Sequence, residues 1–200
     1  MNIAIIKYNA GNIMSVDYAL QRLGIQAEVT ADKEKILSAD KVIFPGVGEA
    51  STTMAYLKST QLNKLIVSLK QPVLGICLGM QLMCSHSDEN DVDCLGIFNE
   101  RVKLFSPSEE KAGKFKVPHM GWNSLYDYQT LLFKGLKDGD FVYFVHSYYA
   151  ATGEDTAAVC DYIQPFSAAL HKNNFYATQF HPEKSGPVGA KILENFVKLI

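Results

Sequence analysis

Residues 72–79 read Pro72-Val73-Leu74-Gly75-Ile76-Cys77-Leu78-Gly79, and the fold turns on how they are read. Val73 to Ile76 is an apolar run of strand length, and Leu78 opens a helical stretch to about Ser85. A cysteine at the turn between them, with glycines two before and two after, has the form of a nucleophile elbow with Cys in place of Ser. Such a turn strains the nucleophile's backbone and lifts its sulfur off the sheet. It also sets the sulfur at a helix N-terminus, where the dipole favours thiolate. The N–H of Leu78 then faces the same space, as an oxyanion donor must. Taken alone, the stretch is also compatible with a buried cysteine in a tight turn, so the rest of the chain has to decide.

On either side of the elbow the sequence alternates short apolar runs with helical spacing. Ile3–Ile6, Ala27–Thr30 and Lys41–Phe44 read as strands. Residues 12–23 read as a helix with Ile13, Val16, Ala19, Leu20 and Leu23 on one face, stopped by Gly24. A further helix is expected over about Ser51 to Leu69. Alternation of this kind implies a mostly parallel central sheet flanked by helices. The middle of the chain differs. Residues 99–105, 121–125, 140–149, 157–162 and 175–180 read as strands joined by turns, which adds antiparallel strands to the sheet. Residues 189–200 close the chain as a helix with Ile192, Leu193, Phe196, Val197 and Ile200 as its apolar stripe. No repeat, low-complexity stretch or Pro/Gly/Ser-rich linker interrupts the chain, so the expectation is an α/β fold in a single domain over residues 1–200. In open α/β sheets, sites form beyond the carboxyl ends of the strands.

Two other motifs follow strands. Phe180-His181-Pro182-Glu183 ends the last one. With extended backbone, His181 and Glu183 project to one side, about 6.5 Å apart along the strand. A carboxylate beside an imidazole fixes its tautomer and stabilises the imidazolium, and His181 could then take the proton of Cys77. Alone, His-Pro-Glu reads better as a surface turn; beside an elbow it reads as base and orienting acid. Pro45-Gly46-Val47-Gly48 follows the third strand. Alone it is a plain turn, and it gains meaning because an oxyanion near Cys77 needs a second donor.

Composition narrows the function classes. The 200 residues are 48% hydrophobic and 20% charged, which excludes disorder. Nineteen basic and 21 acidic residues give a net charge of -2, without the basic excess of a nucleic-acid surface. No apolar run approaches the roughly 20 residues that cross a bilayer, and the N-terminus has no secretory leader. Cys77, Cys84, Cys94 and Cys160 form no CxxC pair, so reduced thiols in a cytoplasmic chain are expected. His86, His119, His146 and His171 lack metal spacing, and neither a Walker loop nor a strand-GxGxxG-helix unit occurs. No metal or cofactor is expected. Trp122 reads equally well as core or as interface.

The motifs, in this order and spacing, resemble the class I (triad) glutamine amidotransferases over nearly the whole chain. PGVG at Pro45 to Gly48, GICLGMQL at Gly75 to Leu82 and QFHPEKS at Gln179 to Ser185 carry the likeness. Within that class, three details are similar to the glutaminase subunits of imidazole glycerol phosphate synthases. They are Tyr8-Asn9-Ala10-Gly11-Asn12, Val117-Pro118-His119-Met120-Gly121-Trp122-Asn123 and Phe144-Val145-His146-Ser147-Tyr148-Tyr149. The resemblance implies a triad of Cys77, His181 and Glu183, with oxyanion donors at Leu78 and near Val47 or Gly48. It further implies that Gln81, Glu89 and the backbone at Ser147 and Tyr148 contact glutamine. Around Glu89 the chain reads Met83-Cys84-Ser85-His86-Ser87-Asp88-Glu89-Asn90 and departs from the family's usual Phe-Glu pair, which leaves the register of Glu89 open. A (β/α)8-barrel cyclase as partner in a heterodimer is implied as well, with Asn12, Trp122 and Lys184 at the interface and ammonia passed through the barrel. Three rival readings stand beside this one: the same chemistry serving another synthase, such as one for surface-sugar amidation; a triad hydrolase of peptides or γ-glutamyl compounds; and a non-catalytic assembly subunit.

Overall fold

A computed structural model describes residues 1–8, 13–108 and 113–200. In chain order its strands are β1 Ile3–Ile6, β2 Ala27–Thr30, β3 Lys41–Gly46, β4 Val73–Cys77, β5 His86–Ser87, β6 Val92–Asp93, β7 Arg101–Leu104, β8 His119–Ser124, β9 Phe141–His146, β10 Tyr148–Ala150, β11 Thr156–Tyr162, β12 Gln164–Lys172 and β13 Phe175–Thr178. The α-helices are α1 Ile13–Arg22, α2 Lys33–Ser38, α3 Ala50–Ser59, α4 Leu62–Ser68, α5 Leu78–Met83 and α6 Gly186–Leu199.

The strand side chains sort the molecule into three layers. Ile3, Ile5, Ile43, Leu74 and Ile76 face one side of the main sheet and pack on α1 and α6. Ala4, Ile6, Val42, Phe44 and Val73 face the other and pack on α2, α3, α4 and α5. Such two-residue alternation is what a pleated strand covered on both faces produces. The sheet has seven strands in the order β2-β1-β3-β4-β13-β12-β11. The first five run parallel, and β12 and β11 add antiparallel pairs at one edge. The expected mostly parallel α/β sheet with antiparallel additions is therefore found. A smaller sheet, β10-β7-β5-β6, and a β8–β9 ribbon complete the chain.

Several boundaries differ from expectation. The helix expected over Ser51 to Leu69 is two helices, because Gln61 adopts a left-handed conformation (φ 60°) between them. The strand expected over residues 140–149 is broken at Ser147. Its first part pairs with β8 and its second with β7, while the Ser147 carbonyl accepts from Phe105 N at 3.0 Å. β13 stops at Thr178, and Pro182–Lys184 forms a 3-10 turn rather than extended chain. The helix after the elbow ends at Met83, leaving Cys84 as its buried cap. Helix α2 and strands β5, β6 and β12 lie where no regular element was expected. All of this leaves the carboxyl ends of β3, β4 and β13 side by side, with Gly46 opposite Cys77 and Thr178 opposite Ile76.

Candidate active site

Cys77 closes β4 and caps α5 with φ 54° and ψ −109°, a backbone region that non-glycine residues enter only under strain. Close packing enforces the turn. A Cβ on Gly79 would lie 2.1 Å from the Phe44 carbonyl oxygen, and one on Gly46 would lie 2.6 Å from Gly79 N. Only glycines let α5 begin this close to β3. Tyr8, beyond β1, supports the same corner by donating its buried hydroxyl to the Pro45 carbonyl at 2.6 Å. Burial, and then the nearby Cys77, push the Tyr8 phenol well above its usual range, so it remains a donor.

Beyond β13, the 3-10 turn brings His181 and Glu183 together: Nδ1 donates to the Glu183 carboxylate at 2.8 Å, and both side chains are buried. This replaces the extended geometry expected for the pair. The His181 backbone is clamped to β9, since its N–H donates to Tyr143 O at 2.9 Å and Ser185 Oγ donates to its carbonyl at 2.7 Å. Ser185 Oγ in turn accepts from Tyr143 N at 2.9 Å. His181 Nε2 is buried without an ordinary hydrogen-bond partner. Burial disfavours charge on this ring, but interaction with Cys77 and with Glu183 overrides it and holds the imidazolium. A cysteine and an imidazole that a carboxylate orients thus open on one space, the set of groups that nucleophilic catalysis by sulfur uses.

Cys77 and His181 open on a cavity of about 310 Å³ lined by Val47, Gly48, Leu78, Gln81, Glu89, Val145, His146, Ser147 and Tyr148. Every oxyanion and substrate residue expected from the sequence therefore borders one space with the nucleophile. Gly48 adopts φ +116°, open to glycine alone. Glu89 comes in from the turn after β5, and its carboxylate accepts from Ala50 N at 2.8 Å, at the start of α3. Burial raises its carboxyl above the ordinary range. Larger hollows of about 450 and 460 Å³ near β2 hold neither cysteine nor histidine.

Gln179 carries no assigned role in the sequence reading, yet it is fully buried at the site, with Nε2 3.8 Å from Cys77 Sγ. His119 and His146 also carry none. They form a buried pair, Nδ1 to Nε2, at 3.0 Å, and His146 Nδ1 donates to Tyr148 O at 2.7 Å. Only the position of Gln179 two residues before His181 could have singled it out; nothing pointed to the histidine pair. Trp122 is 53% exposed. With Met120 and Phe141 it lies on the outward face of the β8–β9 ribbon, and Lys184 is exposed on the 3-10 turn. Asn12 lies outside the described residues. Among the described residues, no group of His, Cys, Asp and Glu is arranged to hold a metal, and no helix is long and apolar enough to cross a membrane.

The family model for glutamine amidotransferase class-I matches residues 4–200. The chain belongs to the class-I glutamine amidotransferases. Among curated members of this family, it is 62% identical to "Imidazole glycerol phosphate synthase subunit HisH" of Bacteroides fragilis (strain YCH46) and 45% identical to the protein of the same name from Escherichia coli K12. In both cases all of each chain is covered. Of solved amidotransferase-like folds, a chain in the structure of PurLQS from Thermotoga maritima superposes with a TM-score of 0.72 at 15% identity, covering 99% of this chain and 98% of that one.

Proposed function

We propose that this chain is the glutaminase subunit of an imidazole glycerol phosphate synthase in histidine biosynthesis, releasing ammonia from glutamine through a thioester on Cys77. The Cys77 thiolate attacks the side-chain carboxamide carbon, and the carbonyl oxygen takes up negative charge. The N–H of Leu78, with one from Val47 or Gly48, receives that charge. As the tetrahedral adduct collapses, His181 Nε2–H gives its proton to the departing nitrogen, and ammonia leaves. Water then adds to the thioester as His181 accepts its proton, and glutamate leaves with the thiol restored. Glu183 keeps Nδ1 protonated and the ring aimed at sulfur. Gln81, Glu89 and the Ser147–Tyr148 backbone hold glutamine.

The observation that carries the reading is the strained Cys77 set opposite the buried His181–Glu183 pair at the mouth of one cavity. The family and the full-length relatives support the reaction and the pathway. The relatives' names call them subunits, which supports a complex. The partner in this reading is a (β/α)8-barrel cyclase that receives ammonia away from bulk water, where most of it would protonate. It converts a phosphoribulosyl-formimino intermediate to imidazole glycerol phosphate and aminoimidazole carboxamide ribotide. Its docking face includes the outward Trp122 and the exposed Lys184. The free thiols at Cys77, Cys84, Cys94 and Cys160 fit the reducing cytoplasm, and the whole chain acts as one glutaminase domain.

The test is synthesis by the complex with the cyclase of the same genome. Cys77→Ala should abolish glutamine-dependent synthesis and leave synthesis from an added ammonium salt intact. Loss of both would make Cys77 structural. Glutamate release that ignores the cyclase and its ligand would instead indicate a free-standing amidohydrolase.

A further inference from the structure

We infer that Gln179 is a further catalytic residue: its amide N–H is a donor aimed at the Cys77 sulfur, held in that sense by the Tyr148 carbonyl acting through Gln81. The inference rests on the proposed role of Cys77 as nucleophile, and it follows from the direction of each hydrogen bond. The Tyr148 carbonyl can only accept. It receives His146 Nδ1–H at 2.7 Å and Gln81 Nε2–H at 2.9 Å, which uses both of its lone pairs. The Gln81 amide must therefore present its NH2 to this corner. The same NH2 lies 2.9 Å from Gln179 Oε1, so the Gln179 amide must turn its oxygen toward Gln81. Its own NH2 is then left facing Cys77 Sγ at 3.8 Å. In the opposite sense, two NH2 groups would face each other and a carbonyl oxygen would face the sulfur.

The His146 end of the chain is equally directional. With Nδ1–H given to Tyr148, His146 Nε2 is an acceptor and receives His119 Nδ1–H at 3.0 Å. His119 Nε2 then faces Asn123 Nδ2 at 3.4 Å. Burial keeps both rings neutral, with His119 lowered to about 4 and His146 to about 3, the latter also because a proton there would be repelled by His181. The carbonyl that orients the two glutamines is thus fixed by rings that do not change charge near neutral pH.

An N–H directed at sulfur favours the thiolate over the thiol, because only the anion is a strong acceptor. Gln179 is 0% exposed and Gln81 is 5% exposed, so water cannot replace this donor at low cost. The titratable groups facing Cys77 are His181 from beyond β13, Tyr8 from beyond β1, and across the cavity His146 of β9 and Glu89. α5 supplies none. Removing Gln179's amide leaves each of these in place, so its contribution can be read separately.

The experiment is the pH profile of iodoacetamide alkylation at Cys77, read by peptide mass spectrometry on the isolated full chain, beside glutaminase kinetics of the complex. In Gln179→Met, similar in size but without the donor, the midpoint should rise by about one pH unit. In the complex, kcat should fall about tenfold while KM changes less than twofold. Gln81→Met removes the group that orients the Gln179 amide and should raise the midpoint in the same direction by a smaller amount. If Gln179→Met yields no folded chain, Gln81→Met carries the test. A profile that superposes on that of the parent chain, in whichever of these variants folds, overturns the inference. Turnover that survives complete alkylation of Cys77 would overturn the nucleophile assignment itself, an outcome distinct from an unshifted profile.

Discussion

At the scale of single residues, the proposed mechanism separates a group that moves protons from a group that only aims it. His181 lies between sulfur and carboxylate, and Glu183 touches its Nδ1. His181→Ala removes the proton carrier and should lower kcat for glutamine about 10⁴-fold. Glu183→Gln keeps an acceptor oxygen for Nδ1–H and should cost about 10²-fold, with little change in KM. Steady-state glutamate release by the complex checks both, and equal losses would remove the distinction. Sequence order and residue type singled out Cys77, His181 and Glu183 as the proposed triad. Gln179 was not singled out, because an amide becomes a directed donor only when its partners are known. Likewise, nothing in Phe180-His181-Pro182-Glu183 announced the 3-10 turn that brings ring and carboxylate to 2.8 Å.

Among elements, α5 and β3 approach each other at backbone distance. The short helix begins so near the strand that any side chain at position 79 would have to enter the Phe44 carbonyl. Gly79→Ala should therefore cost about 3 kcal/mol or more, beyond ordinary overpacking, because backbone rather than a flexible side chain must give way. The midpoint and slope of urea unfolding measure it. An alanine there that left the midpoint unchanged would mean the elbow is looser than its geometry. The long helix expected before β4 shows the converse case. Residues 51–69 hold helical spacing throughout, but Gln61 breaks the run at a residue with no glycine or proline to mark it. Helix α4 can then lay Leu62, Leu65 and Ile66 on the sheet, a gain in burial that outweighs one left-handed residue.

The whole molecule responds to pH through its buried histidines, with opposite signs. His119 and His146 have folded values below the unfolded one of about 6.5. The unfolded chain therefore takes up protons that the folded chain refuses, and their contribution is lost as pH falls below about 6.5. His181 is raised; its contribution is present below about 6.5 and lost as pH rises through its folded value. Between pH 6.5 and 5 the two outweigh the one, and stability should fall by about 3 kcal/mol. His119→Phe keeps a ring stacked between Phe144 and Tyr162 and should lose about half as much over that interval. Urea unfolding at the two pH values reads this, and an identical loss in the variant would assign the acid sensitivity elsewhere.

The alternation of apolar strands and helices determined, from sequence alone, a mostly parallel sheet with helices on both faces, and the motif positions determined that each of the three follows a strand. Both follow from local rules: side-chain period, and the placement of turns after strands. Tertiary structure decided the rest. The split of residues 140–149 between two sheets depends on which strands are available to pair. The sense of the Gln81 and Gln179 amides depends on the Tyr148 carbonyl, 67 residues from Gln81, and on the meeting of two amides 98 residues apart. The exposure of Trp122, which composition left undecided, follows from its outward register on β8. Hydrogen-bond direction and strand pairing are properties of neighbours in space, and a chain written in one dimension does not list them.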